Sequence, residues 1–256
     1  MVAVFGLFGA LTLPMAIIQL VALKTGIFSE KLIPRWWHRL TLFCLGIRVK
    51  VDGALVSDRP LLVASNHVSW TDIMVIGAYA DVRFIAKSDV AGWPGWGTIA
   101  RLNRTVFVER ERKTRTGAQT DEIATRMAAG DAMVLFPEGT TADGNLLLPF
   151  KTSLFGAADA ALAQGEAERI FIQPVAVAYV RKHGVVMSRG ERVLVSWAGS
   201  EGLWPHLKRL LRAGSVDARL SFGPAVEYTR ASRRKEVARA VEGEVKRLFE
   251  QMRDKP

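Results

Sequence analysis

Two short stretches of this chain hold residue types that can move a proton and stabilise an anion. The first is Asn66-His67-Val68-Ser69-Trp70-Thr71-Asp72, where an imidazole and a carboxylate stand five residues apart. Five helical steps turn about 140° past a full circle, so one helix face cannot carry both. The pair works if His67 lies in a loop and Asp72 in the first turn of the helix that follows. From there the carboxylate can accept one ring N–H, fix the tautomer and leave the other nitrogen as a base. The same spacing also describes a helix N-cap beside an unrelated polar residue, and spacing alone leaves both readings open.

The second stretch is Phe136-Pro137-Glu138-Gly139-Thr140-Thr141. A glycine in a tight turn after a strand lets backbone N–H groups approach a ligand closely. Inward amides of that kind suit a headgroup phosphate or a developing oxyanion. A plain strand-to-loop turn has the same composition. Lys87, Arg110 and Lys151 are basic residues that could cooperate, each equally readable as a solvated charge. His38, His183 and His206 lie in interfacial or polar segments and are expected at the surface or in loops.

The elements that must position these groups alternate after residue 50. Strands are expected at 61–65, 82–86, 105–108, 133–136, 170–179, 193–197 and 219–222. Helices are expected from about Asp72, over 120–129, 153–164 and 204–212, and along the tail from 232 to 252. This alternation argues for an α/β sheet domain. In the tail, Val237, Val241, Val245 and Phe249 recur every four residues as a packing stripe. Its basic residues, Arg233, Arg234, Lys235, Arg239, Lys246 and Arg247, are either solvated or turned toward anionic lipid or an acidic carrier protein.

Composition narrows the class. The chain has 256 residues, 49% hydrophobic and 23% charged, and 35 basic against 25 acidic residues leave a net charge of +10. That hydrophobicity excludes intrinsic disorder. Cys44 is the only cysteine, which excludes a disulfide scaffold and points to a reducing cytosol. The positive balance calls for nucleic acid or anionic lipid as partner. Met1 to Leu23 carries no charge and as a helix would cover roughly 30–35 Å, the thickness of a hydrocarbon core. No basic residue precedes it and no A-x-A site closes it, unlike a signal peptide. Pro14 allows either a straight span or a kinked, reclining helix. Lys24, Lys31, Arg35, His38 and Arg39, with Trp36 and Trp37 among them, follow as a membrane-interface flank. The expected organisation is a membrane-associated helical element over 1–50 and a catalytic domain over 51–256, on the cytoplasmic side.

Other chemistries lack an anchor. The chain contains no G-x-S-x-G elbow, Walker loop, dinucleotide glycine fingerprint or His/Cys cluster. After residue 50 the basic residues are not interleaved with aromatics in one stripe, so nucleic acid is not an expected partner, and without a His/Cys cluster neither is a metal.

Four blocks occur in order: Asn66-His67-x4-Asp72, Val106-Phe107-Val108-Glu109-Arg110, Phe136-Pro137-Glu138-Gly139-Thr140 and Ile172-Gln173-Pro174-Val175-Ala176-Val177. Together they resemble the glycerolipid acyltransferases typified by lysophosphatidic acid acyltransferase, the PlsC family, over roughly residues 60–180. The resemblance implies an α/β fold with a mixed β-sheet flanked by helices and an N-terminal membrane element. It implies an O-acyltransferase of membrane lipid biosynthesis that needs no cofactor. His67, oriented by Asp72, would deprotonate a lysolipid hydroxyl that attacks an acyl carrier protein or coenzyme A thioester. Glu138, Gly139 and Thr140 would hold the acceptor, with Arg110, Lys87 and Lys151 near its headgroup. Many members carry an arginine where this chain has Thr141. The stretch from Phe136 to Asn145, with Leu148 to Lys151 and Ile172 to Tyr179, is closer to the lyso-ornithine lipid acyltransferase branch than to enzymes for lysophosphatidic acid. A thioester hydrolase using the same His67–Asp72 pair, and a non-catalytic membrane binder of lipid or carrier protein, are the readings from other classes.

Overall fold

A computed structural model describes residues 2–108, 113–164, 167–197 and 201–254. Helices α1 (Val2–Thr25) and α2 (Leu32–Cys44) lead into strands β1 (Ile47–Asp52) and β2 (Leu61–Ser65). Helix α3 (Thr71–Tyr79), β3 (Arg83–Lys87), α4 (Trp96–Leu102), β4 (Val106–Val108), α5 (Lys113–Ala128) and β5 (Ala132–Leu135) then alternate. Next come α6 (Gly156–Ala163), β6 (Arg169–Lys182), β7 (Val185–Val186), α7 (Arg189–Val195) and α8 (Leu203–Ala213). Strands β8 (Val216–Phe222) and β9 (Val226–Thr229) and helix α9 (Arg234–Asp254) complete the order.

The sheet runs β1-β8-β6-β2-β5-β3-β4, with β7 and β9 also paired to β6. Strands β6, β2, β5, β3 and β4 are mutually parallel, whereas β8 is antiparallel to β6. The sheet is therefore mixed. Every residue of β2 is buried, as expected for a parallel strand covered on both faces. Its side chains alternate between two cores: Leu61 and Val63 face α2, α3 and α8, and Leu62 and Ala64 face α5, α6 and α9. Register sets the site. Ala64 pairs with Leu135, so the loops after β2 and β5 leave one edge side by side. Phe84 pairs with Val134, which brings the end of β3, with Lys87, to that same edge.

Several expectations are corrected. Residues 193–197 are not a strand, because α7 runs through Val195. The Ser188 hydroxyl accepts the Glu191 N–H while the Glu191 carboxylate accepts the Ser188 N–H, and this capping box starts a helix despite the β-branched residues. Helix α5 begins seven residues before the expected Thr120. Neither His38 nor His206 is a surface residue. His38 packs against Gly77 of α3, where a β-carbon would stand 2.1 Å from its Nδ1. Burial drops its pKa to about 4, with Arg83 acting in the same direction. His183 is exposed.

Helix α1 is continuous through Pro14. Its stretch Gly6–Thr25 is long and apolar enough to cross a membrane, and little of it is covered by protein. The polar side chains point at the fold: Thr12 accepts the Trp37 Nε1–H at 3.1 Å, and Gln19 donates to the Glu30 and Leu102 carbonyls at 2.9 and 3.0 Å. Leu13 and Ile17 are 69% and 62% exposed. One face thus grips the protein and the other offers hydrocarbon to a lipid phase.

Candidate active site

The loop after β2 ends where Asp72 opens α3, and this brings the imidazole and carboxylate together. His67 Nδ1 lies 3.0 Å from Asp72 Oδ2. That oxygen also accepts the backbone N–H of Val68 at 2.7 Å and of Ser69 at 2.9 Å. Oδ1 accepts the Tyr179 hydroxyl at 2.8 Å. Asp72 is fully buried, so these donors replace its lost hydration. With Nδ1–H donated to Asp72, Nε2 is the imidazole's acceptor nitrogen. The ring stacks on Phe136, centroids 4.0 Å apart, and keeps 17% of its side-chain surface open.

Tyr179 comes from β6 and was not among the residues singled out for chemistry. Burial and the adjacent Asp72 push its pKa well above the phenol range, so it stays a donor. Its one hydrogen goes to Asp72; the Thr71 hydroxyl, 2.6 Å away, therefore donates to it. The available signal was a tyrosine that closes the apolar run Pro174 to Ala178 of a buried strand.

Glu138 faces inward. It is 1% exposed, and its oxygens accept the His67 N–H at 2.8 Å and the Leu148 N–H at 3.1 Å. Burial, opposed by those two donors, raises its pKa to about 7. The side chain thus ties the β2 loop to the β5 loop. Gly139 has φ +74°, a left-handed conformation that favours glycine, and a β-carbon there would stand 2.8 Å from Lys151 Nζ. Lys151 therefore lies against the turn, and Thr140 is exposed beside it. Lys87 stands at the same sheet edge, ion-paired to Asp89 at 2.7 Å. Arg110 lies outside the described residues, two positions beyond the end of β4.

Thr141 donates its hydroxyl to the Trp197 carbonyl, and Trp197 N–H donates to Val68 O at 2.9 Å. Trp197 and Trp70 lie on the wall of an apolar cavity of about 110 Å³, with Ile73, Met74, Phe84 and Trp96. Trp70 Nε1 donates to His206 Nδ1 at 2.9 Å, and His206 Nε2 contacts the Val195 and Ser196 carbonyls at 3.0 Å each. His206 is consequently the Nε2–H tautomer, and burial lowers its pKa. Of the basic tail, Arg234 pairs with Asp159 at the entry of α9, whereas Arg253 at its exit reaches the loop after β5.

The arrangement can hold an imidazole in one tautomer, partly exposed, with its second nitrogen left to take a proton from a hydroxyl. Known proteins resemble this chain. The family model described as Acyltransferase matches residues 47–178. A lyso-ornithine lipid O-acyltransferase of Rhizobium meliloti is 47% identical over 232 residues, 91% of this chain and 80% of its own. One of Brucella abortus is 48% identical over 241 residues, 94% of this chain and 90% of its own. A 1-acyl-sn-glycerol-3-phosphate acyltransferase of Neisseria meningitidis is 34% identical over 120 residues, 44% of this chain and 47% of its own. In fold, the chain is similar to the crystal structure of the 1-acyl-sn-glycerophosphate acyltransferase PlsC from Thermotoga maritima. The TM-score is 0.64 and identity 22%, over 87% of this chain and 79% of that one. The mixed sheet, the histidine and aspartate at its edge and a family match that spans both loops agree, and the chain belongs to the acyltransferase family.

Proposed function

We propose that this protein transfers a fatty acyl group from an acyl carrier protein or coenzyme A thioester to the hydroxyl of lyso-ornithine lipid. The observation that carries the reading is His67, held by Asp72 through Nδ1 at 3.0 Å, with 17% of its side-chain surface exposed. Nε2 removes the acceptor hydroxyl proton as the oxygen attacks the thioester carbonyl. The tetrahedral centre collapses with loss of the carrier thiolate, which takes the proton back from the imidazolium. Asp72 stabilises the imidazolium in between. The cavity along Trp70, Met74 and Trp197 receives the acyl chain.

The acceptor follows from the turn after β5. Where an arginine would pair a phosphate bidentately, Thr141 is turned to the Trp197 carbonyl. In sequence, the relatives named for lyso-ornithine lipid also match over most of the chain, while the Neisseria relatives named for 1-acyl-sn-glycerol-3-phosphate match under half. Thr140 and the cations Lys87, Arg110 and Lys151 contact the acceptor, while Glu138 and Gly139 shape the turn that holds it. A second reading, lysophosphatidic acid as acceptor, draws on the same three cations in place of the missing arginine. Helix α1 attaches the enzyme to the inner membrane, with residues 51–256 as the catalytic domain on the cytoplasmic face.

The test supplies detergent-purified enzyme with labelled acyl-acyl carrier protein or acyl coenzyme A. Lyso-ornithine lipid and lysophosphatidic acid are offered separately, each beside His67→Ala. Acylation of the ornithine acceptor, lost in His67→Ala, is expected. Acylation of the phosphate acceptor alone refutes the headgroup assignment, and a fully active His67→Ala refutes the mechanism. Release of free fatty acid at the same rate without any acceptor identifies a hydrolase instead.

A further inference from the structure

An ornithine headgroup carries a carboxylate, and the turn at Thr141 offers no guanidinium to hold it. Three arginines from other elements stand beside that turn. Arg189 and Arg192 come from α7 and Arg253 from the last turn of α9. Arg192 and Arg253 reach Asn145, in the loop that follows the turn, with their guanidinium groups, and Arg189 meets it through its backbone. Arg192 Nη1 donates to Asn145 Oδ1 at 3.3 Å, Arg253 Nη1 donates to the Asn145 carbonyl, and Asn145 Nδ2 donates to the Arg189 carbonyl at 3.1 Å. This loop is packed against the base. Ala142 N–H donates to the His67 carbonyl at 2.7 Å. A β-carbon at Gly144 would lie 3.3 Å from Val68 Cγ1 and 3.6 Å from Arg192 Cβ.

The cluster is electrostatically unbalanced. Burial, with the positive charges of Arg253 and Arg189, holds Arg192 below the ordinary arginine range. Among the described residues no carboxylate lies within ion-pair distance of any of the three. The acid of the same loop, Asp143, is engaged by the N–H groups of Asn145 and Leu146. The Nε atoms of Arg192 and Arg253 are buried and bonded to nothing. A group of planar cations with no counter-ion is the environment that a carboxylate pairs with most strongly.

We infer that Arg192 and Arg253, with Arg189 adding charge, bind the headgroup carboxylate of the acceptor on the side of the site formed by the Asn145 loop. This rests on the lyso-ornithine reading above. It separates the acceptor's anion from the turn after β5 and makes α7 and the end of α9 the elements that distinguish headgroups.

The test compares lyso-ornithine lipid with its carboxyl methyl ester, in the unaltered enzyme, Arg192→Gln, Arg253→Gln and Arg192→Lys. The unaltered enzyme is expected to favour the free acid over the ester by about 10- to 100-fold in kcat/KM, the range of one charge-assisted contact. Both glutamine variants bring that ratio close to one, and Arg192→Lys leaves part of it, since it keeps the charge and loses the fork. Equal rates on acid and ester in the unaltered enzyme overturn the inference without any variant having to fold. So does a ratio that Arg192→Gln and Arg253→Gln both retain. Acylation of lysophosphatidic acid only, with no product from either ornithine acceptor, overturns the acceptor reading itself, a result distinguishable from the other two.

Discussion

Tyr179 donates its phenolic hydrogen to Asp72 Oδ1 at 2.8 Å, the oxygen that His67 does not use. The two residues are 107 positions apart and join β6 to the first turn of α3. The carboxylate is thereby held at both oxygens, and the imidazole it orients cannot swing with a loose side chain. Tyr179→Phe leaves one oxygen of a buried carboxylate without its donor. A loss of about 1.5–3 kcal/mol in stability is expected, together with a drop in kcat, read by thermal melting and initial rates. Unchanged melting and turnover would show that the bond does not position the pair.

Removing the base itself has a larger and more selective effect. His67→Ala is expected to lower kcat by 10²- to 10⁴-fold, the usual contribution of a positioned general base. The variant also loses one donor to buried Asp72 and the stack on Phe136, so a moderate drop in melting temperature, no larger than that of Tyr179→Phe, is expected with a folded protein. Joint loss of fold and activity would contradict this.

Glu138 makes stability depend on pH. Its folded-state pKa, about 7, lies above the ordinary carboxyl value of 4.5. The folded protein thus binds a proton more tightly than the unfolded chain. This contribution is fully present below pH 4.5 and is lost as pH rises through about 7. Denaturant unfolding from pH 4.5 to 8 should show the fall in the unaltered protein and a flatter profile in Glu138→Gln. Parallel profiles would refute it.

Thr141 and His206 both hold tryptophans on the cavity wall. Thr141→Val removes the donor to the Trp197 carbonyl and is expected to cost about 0.5–1.5 kcal/mol. His206→Ala frees the Trp70 N–H and opens a void, costing about 2–4 kcal/mol. Both variants should broaden the preference for acyl-chain length, measured with a donor series. A shift in neither stability nor chain length would remove the tryptophans from that role.

Lys in place of Leu13 or Ile17 tests the membrane face of α1. Both side chains are turned from the fold, so a charge there opposes lipid insertion without touching the core. Binding to vesicles of anionic phospholipid should weaken at least severalfold, while activity on detergent-dispersed acceptor persists. Gln19→Leu, by contrast, breaks two bonds to the fold and should lower melting with binding retained.

The reach of the sequence differs from one residue to the next. His67 and Asp72 are legible as a pair because only local geometry separates them: a loop residue and the first helical turn bring an imidazole and a carboxylate together whatever surrounds them. The turn at Gly139 and the strands before both loops are legible for the same reason, since period and turn chemistry are short-range. The apolar stripe of the tail helix is equally local, and Val241, Val245 and Phe249 are buried where the four-residue spacing puts them.

Tertiary structure alone decided the rest. His206 reads as a surface residue in a polar segment, and its burial depends on carbonyls at the end of α7 and the indole of Trp70, just before α3. Tyr179 reads as core, because nothing in β6 announces a carboxylate that arrives from another strand's loop. Residues 193–197 read as a strand from their side chains, yet a hydroxyl and a carboxylate three positions apart start a helix there. The arginines of α7 and α9 are far apart in the chain and ordinary in composition. They become a site only where the loop of Asn145 draws them together. Local sequence thus determined which groups could do acyl-transfer chemistry. Packing between distant elements determined which neighbours orient them, because burial and long-range hydrogen bonds have no short-range signature.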